Sequence, residues 1–60
     1  MKGSELKKIL KQHGCRFHRH GGEHDVWMTA DGKKIRLPRH DSAEVPTGTA
    51  DKILKAAGVR

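Results

Sequence analysis

The segment Arg19–Trp27 reads RHGGEHDVW, and the rest of the 60-residue chain can be arranged around it. Its adjacent glycines, Gly21 and Gly22, predict a tight turn, because glycine adopts backbone conformations that other residues avoid. Backbone N–H groups in such a turn can also approach an anion closely. His24 leaves the turn at the start of a strand, and histidine exchanges protons near neutral pH. The segment is therefore either a phosphate-handling site or a polar hairpin turn that ends in histidine.

The sequence alternates like β-strands on both sides of this turn. Residues 15–20 predict a first strand whose first residue and Phe17 face inward. Residues 24–30 predict a second strand, since they are rich in residues that favour strands. Either its Val26 face or its Trp27 face could be the buried one, and the pattern leaves that choice open.

A third strand is predicted after a hairpin turn. Asp31-Gly32 is typical of a two-residue hairpin loop. Residues 33–37 then alternate, with Ile35 and Leu37 inward. Pro38 ends this strand because proline cannot donate a hydrogen bond to the ladder. A long polar connection follows before the last helix.

A helix is predicted at each end of the chain. The first, of about ten residues, begins at Ser4 as N-cap and ends at Gly14. The second is capped by Thr47 or Thr49 and ends at Gly58. Each carries an apolar stripe at helical spacing: Leu6, Ile9 and Leu10 in the first, and Ala50, Ile53, Leu54 and Ala57 in the second.

The order helix, three strands, helix predicts one α+β domain over residues 1–60. Both helical stripes can cover one face of a three-stranded antiparallel sheet and leave the other face in water. This layout is like that of a double-stranded RNA-binding domain, although a fold alone does not give a function. At this length the core must be small, so a shallow surface site is favoured over a deep cofactor pocket.

The chain is strongly basic. Thirteen Lys and Arg against seven Asp and Glu give a formal charge of +6. Such a charge suits nucleic acid, an acidic protein partner or both, and the alternative is a basic surface kept for solubility. No apolar run is long enough to cross a membrane. The single Cys15 cannot form an internal disulfide, which leads us to expect a packed thiol and a cytoplasmic protein.

The histidines suggest two kinds of chemistry. His18, His20 and His24 are close in sequence, but a structural zinc site needs three or four converging ligands, and no cysteine pair is present. General acid–base catalysis needs only one positioned histidine. RNA suits it, because the 2′-hydroxyl is a built-in nucleophile beside the phosphate. His24 could therefore act on RNA without a metal or cofactor, with the RNA held by Gly21, Gly22, Lys33, Lys34, Arg39 and His40. His40 is the second histidine that could belong to the site.

Several short motifs, taken in order, resemble one protein family. They are SEL from Ser4, ILKQHG ending at Gly14, GEH ending at His24, LPRH ending at His40, and the run from Gly48 to Gly58. This pattern is similar to that of HicA-type mRNA interferases, the toxin halves of HicA–HicB toxin–antitoxin pairs. The resemblance covers nearly the whole chain.

The resemblance implies a double-stranded RNA-binding-like fold, metal-independent cleavage of mRNA, and neutralisation by a HicB-like antitoxin that covers the site. The family's catalytic histidine follows a glycine and usually a serine, and it maps onto His24. Here Glu23 stands where that serine is common. A carboxylate there would repel a phosphate if it pointed inward, or could orient His24 if it turned sideways. The alternatives are a non-catalytic RNA-binding module of the same fold and a domain whose basic surface binds only an acidic protein.

Overall fold

The computed structural model describes all 60 residues and confirms the predicted order of elements. Two helices flank three consecutive strands. The elements are α1 (Gly3–Gln12), β1 (Arg16–Gly21), β2 (His24–Met28), β3 (Lys34–Pro38) and α2 (Thr47–Ala56). The chain therefore has the predicted α+β layout.

The three strands form one antiparallel sheet in the order β1-β2-β3, so β2 is central. His24 pairs with Gly21 of β1 and with Pro38 of β3. At the other end of β2, Met28 pairs with Arg16 and Lys34. Because directly opposed residues share a face of the sheet, this register fixes which side chains are neighbours.

The sheet has a helix-covered face and an open face. Trp27 of β2 packs into the core on the helix-covered face, which resolves the choice that the sequence left open. The ten-residue core consists of Leu6, Leu10, Cys15, Trp27, Ile35, Leu37, Val45, Ala50, Ile53 and Leu54. His24, Val26 and Met28 alternate with Trp27 and therefore lie on the open face. The inward positions predicted for Ile35 and Leu37 and the packed thiol of Cys15 are confirmed.

A β-bulge in β1 changes the predicted alternation of that strand. Phe17 pairs with Trp27, yet Arg19 rather than His18 pairs with Val26. One extra residue in an antiparallel ladder reverses the alternation beyond it. His20 therefore lies on the same face as Phe17, and the two rings are in contact. Strict alternation along the predicted strand would place His18 and His20 on one face and Phe17 and Arg19 on the other, and the bulge shows that expectation to be wrong.

The prediction that Phe17 faces inward is correct for its face of the strand but wrong for its burial. Its side of the strand is that of Trp27, but the residue is 46% exposed and is absent from the core. Since β1 is an edge strand, the buried cluster ends before it reaches this ring. Phe17 is the exposed large hydrophobic residue of the chain.

The hairpin between β2 and β3 is longer than the predicted two-residue loop. Strand β2 ends at Met28, and the backbone N–H of Thr29 donates to the carbonyl of Lys33 at 2.7 Å. Gly32 donates back to the Thr29 carbonyl and has φ of +89°. This is a three-residue loop in which a β-turn is followed by a left-handed glycine. The glycine signal was correct, but it does not specify the loop length.

Neither helix begins with the predicted side-chain cap. At the start of α1 the backbone N–H groups of Gly3 and Ser4 donate to the carbonyls of Ala43 and Asp41, at 2.8 and 3.0 Å. These loop carbonyls satisfy the free donors that an N-cap side chain would otherwise bind. Ser4 lies inside the helix, so it cannot be its N-cap.

The second helix starts directly after Pro46, again without a side-chain cap. Thr47 and Thr49 are already helical, whereas an N-cap residue must have a non-helical backbone. The predicted C-terminal ends of the two helices agree with the structure better than their predicted N-terminal starts. Gly14 and Gly58 follow the two helices with φ of +84° and +80°, as expected for left-handed stops.

Candidate active site

A groove of about 480 Å³ lies on the open face, beside the turn that joins β1 to β2. It is formed by the end of β1, the turn itself, the start of β2 and one residue of β3. Its lining residues are Arg19, Gly21, Gly22, Glu23, His24, Val26 and Arg36. The groove is open and polar, as predicted for a shallow surface site.

His24 begins β2 and is exposed at one end of the groove. The ring nitrogens of two other histidines are engaged: Nδ1 of His13 lies 3.0 Å from the Ile9 carbonyl, and Nδ1 of His20 lies 2.7 Å from Asp25. His24 makes no such hydrogen bond within the chain. Its imidazole is therefore available to a ligand, which is what a proton-transfer group requires.

Two arginines flank the groove on either side of β2. Arg19 of β1 and Arg36 of β3 both pair with Val26, which is 7% exposed and lies between them. Val26 is two residues beyond His24 on the same face, so each arginine is a diagonal neighbour of the histidine, at about 7–8 Å. A phosphate bound between the two guanidinium groups would therefore lie beside the imidazole.

Neither arginine was predicted as a site residue. The alternation with Ile35 and Leu37 predicts that Arg36 faces outward. Its position two residues before Pro38 was the sequence signal that could have placed it near the site. That signal has meaning only once Pro38 is known to pair with His24. Arg19 could not be placed from the sequence, because the bulge reverses the alternation between it and Phe17.

The glycine turn can approach a ligand closely. Gly22 has φ of +61°, in the left-handed region that favours glycine. A Cβ atom at Gly21 would lie 3.0 Å from Cγ2 of Val26 and 3.4 Å from the His24 carbonyl oxygen. A side chain at Gly21 would therefore crowd the groove, and the chain avoids it at this position.

Asp25 holds the base of this turn from the helix-covered face. Its side chain is 8% exposed, and Oδ1 lies 2.7 Å from Nδ1 of His20 and 3.5 Å from Nε of Arg39. Arg39 in turn donates a hydrogen bond from Nη2 to the carbonyl of Gly22. A buried carboxylate is costly unless it is paired, and here both partners satisfy it. The cluster thus ties the start of β2, the end of β1 and the segment after β3 together.

The hydrogen bond from His20, with smaller contributions from the Arg39 guanidinium, lowers the pKa of Asp25 below its ordinary value. The pKa values of Asp31, Asp41 and Glu44 are also lowered, mainly by hydrogen bonds from Thr29, Lys7 and the N-terminal amine respectively. A carboxyl group whose pKa is lower in the folded state stabilises the fold above its unfolded pKa. That stabilisation is lost as the pH falls through the folded pKa.

We therefore expect the free energy of unfolding to fall steadily on acidification between about pH 5 and about pH 2. Urea denaturation followed by circular dichroism across this range measures it. The Asp25→Asn variant, which has no carboxyl group to protonate there, should show a shallower decline. A free energy of unfolding that stays constant over this range in the unmodified chain would contradict the expectation.

The other predicted substrate-binding residues lie at different distances from His24. Lys34 is on the open face but pairs with Met28, four residues along β2 from His24, or roughly 13 Å. Lys33 lies in the hairpin beyond it, with Nζ 3.9 Å from Asp31. Neither lysine lines the groove. Lys34 and Arg16 flank Met28 as the two arginines flank Val26, so the basic surface continues along the open face.

Arg39 and His40 lie where β3 leaves the sheet. Arg39 is bound to Asp25 and to the turn, so its guanidinium supports the groove from behind. His40 belongs to the loop that packs on the start of α1. Its carbonyl oxygen would lie 2.9 Å from a Cβ atom at Gly3. The structure therefore brings Gly21, Gly22 and His24 together, places Arg39 behind them, and does not place His40 in the groove.

A second, smaller depression lies between α1 and the loop after β3, and it is lined by Ser4, Lys7, Lys8, Lys11, Gln12 and Asp41. Two of its lysines have intramolecular partners. Nζ of Lys7 donates to Asp41 at 2.7 Å and to the Arg39 carbonyl at 3.1 Å. Nζ of Lys11 lies 5.8 Å from the centroid of the Trp27 ring. These contacts fasten α1 to the sheet and the loop.

No group of three or more histidine, cysteine, aspartate or glutamate side chains converges as a metal site would require. His20 is bound to Asp25 on the helix-covered face, whereas His24 lies on the open face. The bulge places His20 on the face opposite His24, so histidines that are close in sequence do not converge on one metal position. No helix in the chain is long and apolar enough to cross a membrane.

Comparison with known proteins gives two matches. A family model described as the HicA toxin of bacterial toxin–antitoxin systems matches residues 3–59. A curated protein of Photorhabdus laumondii subsp. laumondii, named probable mRNA interferase HicA 2, is 35% identical over 60 residues, which is all of both chains. No solved structure matches the chain. The family match covers nearly the whole sequence, so the chain belongs to the HicA toxin family.

Proposed function

We propose that this HicA family member is an endoribonuclease that cleaves mRNA and so blocks translation, with His24 as its general acid or base. The observation that carries the proposal is an exposed histidine without an intramolecular partner, set in a groove between Arg19 and Arg36. The name of the Photorhabdus relative, probable mRNA interferase, supports RNA as the substrate.

The chemistry uses the 2′-hydroxyl of RNA as the nucleophile. A base removes the proton of this hydroxyl as its oxygen attacks the adjacent phosphorus. The bond from phosphorus to the 5′-oxygen breaks, and an acid protonates that oxygen. The products are a 2′,3′-cyclic phosphate and a 5′-hydroxyl end. His24 acts as the base or the acid, and a water molecule serves as the other, taking up or giving the second proton. The proton balance closes with these two groups, so the proposed reaction uses no metal.

The remaining groove residues stabilise and align the phosphate. Negative charge grows on its non-bridging oxygens during the reaction, and the guanidinium groups of Arg19 and Arg36 are placed to neutralise it. Gly21 and Gly22 leave space for the phosphate beside their backbone. Lys34 and Arg16 extend the positive surface and hold the neighbouring RNA backbone. Glu23 lies in the same groove without an ion-pair partner, so it reduces the positive charge there.

In a cell, such an enzyme must be restrained. Membership of a toxin–antitoxin family supports a dedicated antitoxin. We propose that this antitoxin is a HicB-like protein that covers the groove, and that both proteins act in the cytoplasm. Its contacts are expected to include acidic groups, because the open face carries Arg16, Arg19, Lys34 and Arg36.

Induced expression in a bacterial host tests this function. The unmodified chain should arrest growth and deplete full-length mRNA, while co-expression of a HicB-like antitoxin should restore growth. Equal growth of induced and uninduced cells, at a protein level confirmed by immunoblot, would contradict the proposal. Growth arrest with intact mRNA would favour binding without cleavage.

A further inference from the structure

Phe17 presents an aromatic ring to solvent, and exposing such a ring does not stabilise a small basic domain. The residue is 46% exposed and lies on β1, the edge strand. The other aromatic residue, Trp27, is 3% exposed and belongs to the core. Phe17 makes no contribution to the core cluster, so packing does not explain it.

The side chains around Phe17 suit a polyanion. Its strand reads RFHRHG, so two arginines and two histidines lie next to Phe17 along this edge. Arg16 and Arg19 lie on the open face, while Phe17 and His20 lie on the other. A second copy of this chain would bring like charges together along the same strand. Nucleic acid instead offers phosphates for the charged groups and flat bases for the ring.

The ring of Phe17 is also held in place by a neighbouring ring. Phe17 and His20 are in edge-to-face contact, with centroids 5.0 Å apart and an angle of 60° between their planes. His20 is held in place by its 2.7 Å hydrogen bond to the buried carboxylate of Asp25. A base that stacks on Phe17 would therefore meet a surface whose orientation is already set, which lowers the ordering cost of binding.

This surface lies close to the groove but on the other side of β1. Phe17 pairs with Trp27, which is three residues along β2 from His24, or roughly 10 Å. Because β1 has no neighbour on its outer side, a single RNA strand can pass around this edge. A duplex cannot present an unstacked base there.

We propose that Phe17, supported by His20, is a stacking site for an unpaired base of the RNA strand whose phosphate occupies the groove. This rests on the proposed function in one respect, that RNA is the substrate. It adds that the enzyme binds single-stranded RNA and that the edge of β1 contributes to that preference.

Binding measurements on variants that also carry His24→Ala, so that the RNA stays intact, test the proposal. Fluorescence anisotropy is followed with a labelled single-stranded RNA and with the same RNA annealed to its complement. Phe17→Leu keeps an apolar side chain but removes the aromatic face. We expect it to weaken single-strand binding about 5- to 100-fold, with little effect on the duplex. Phe17→Trp should restore single-strand binding, and the salt dependence should not change, since no charge is altered.

Unchanged single-strand affinity in Phe17→Leu would overturn the proposal, and so would an equal loss for both RNAs. Normal RNA binding combined with failure to be neutralised by a protein partner would assign Phe17 to a protein interface instead. Cleavage by the chain with intact His24 is measured separately. A Phe17-dependent preference without any cleavage would sustain this proposal and refute only the catalytic one, whereas absence of RNA binding in every variant would refute both.

Discussion

Replacing His24 by glutamine is expected to lower the rate of RNA cleavage by about 10²- to 10⁴-fold, the usual contribution of a positioned general acid or base. Glutamine has a similar reach and can still form hydrogen bonds, but it cannot exchange a proton near neutral pH. His24 makes no hydrogen bond within the chain and is exposed, so its replacement should leave the fold intact. Single-turnover cleavage with enzyme in excess measures the rate without a contribution from product release.

His13→Gln is the matched control for this variant. His13 is also exposed, but it lies at the end of α1, and its Nδ1 is 3.0 Å from the Ile9 carbonyl. This second substitution makes the same chemical change outside the groove and should leave the cleavage rate near that of the unmodified chain. Equal rates for the two variants would show that His24 has no special role. RNA affinity, measured in parallel, should be similar for both.

Replacing Leu37 by alanine is expected to remove a large part of the free energy of unfolding. Leu37 is 0% exposed and faces the core from β3. Truncating a fully buried leucine costs about 2–5 kcal/mol. A 60-residue chain is stabilised by only about 3–9 kcal/mol in total. The lost packing is therefore a large fraction of the whole stability, and molecules that unfold lose the groove together with the sheet.

Phe17→Ala is the matched control for Leu37→Ala. It removes a larger apolar side chain, but from a position that is 46% exposed and outside the core. Its effect on the free energy of unfolding should be well below that of Leu37→Ala, within about 1 kcal/mol. Urea denaturation followed by circular dichroism compares the two. A greater loss of stability in Phe17→Ala would mean that the edge of β1 belongs to the core after all.

The order of elements and the position of His24 were predictable because both depend on local patterns. Apolar residues at helical spacing, alternation in the strands and glycines at turns and helix ends each act over a few residues. Gly14 and Gly58 mark the helix ends correctly for this reason. The same local logic placed His24 directly after the glycine-containing turn, which in the structure consists of Gly22 and Glu23, at the start of β2.

Features that depend on distant partners were not predictable. Loop carbonyls of residues 41 and 43 satisfy the start of α1, so the capping signal of Ser4 is not used. The bulge in β1 is visible only in its pairing with β2, and it decides that Arg19 faces the groove. Arg36 joins the site through β3, whose register the sequence does not specify.

The burial and pairing of Asp25 also could not be predicted from the sequence. In the sequence it is an acidic residue in a strand, between His24 and Val26. In the structure it is buried and paired with two residues. His20 belongs to β1, and Arg39 belongs to the segment that follows β3. Its burial depends on a cluster of three residues that no local pattern predicts.

Product analysis after incubation of RNA with the purified protein in excess EDTA tests the central claim most directly. We predict cleavage without added metal, with fragments whose masses correspond to a 2′,3′-cyclic phosphate on one side of the cut and a 5′-hydroxyl on the other. The same oligonucleotide with a 2′-deoxy sugar at the cut should stay intact. Cleavage that requires a divalent metal, that survives the 2′-deoxy substitution or that leaves a 5′-phosphate would contradict the mechanism, and intact RNA under all conditions would contradict the function itself.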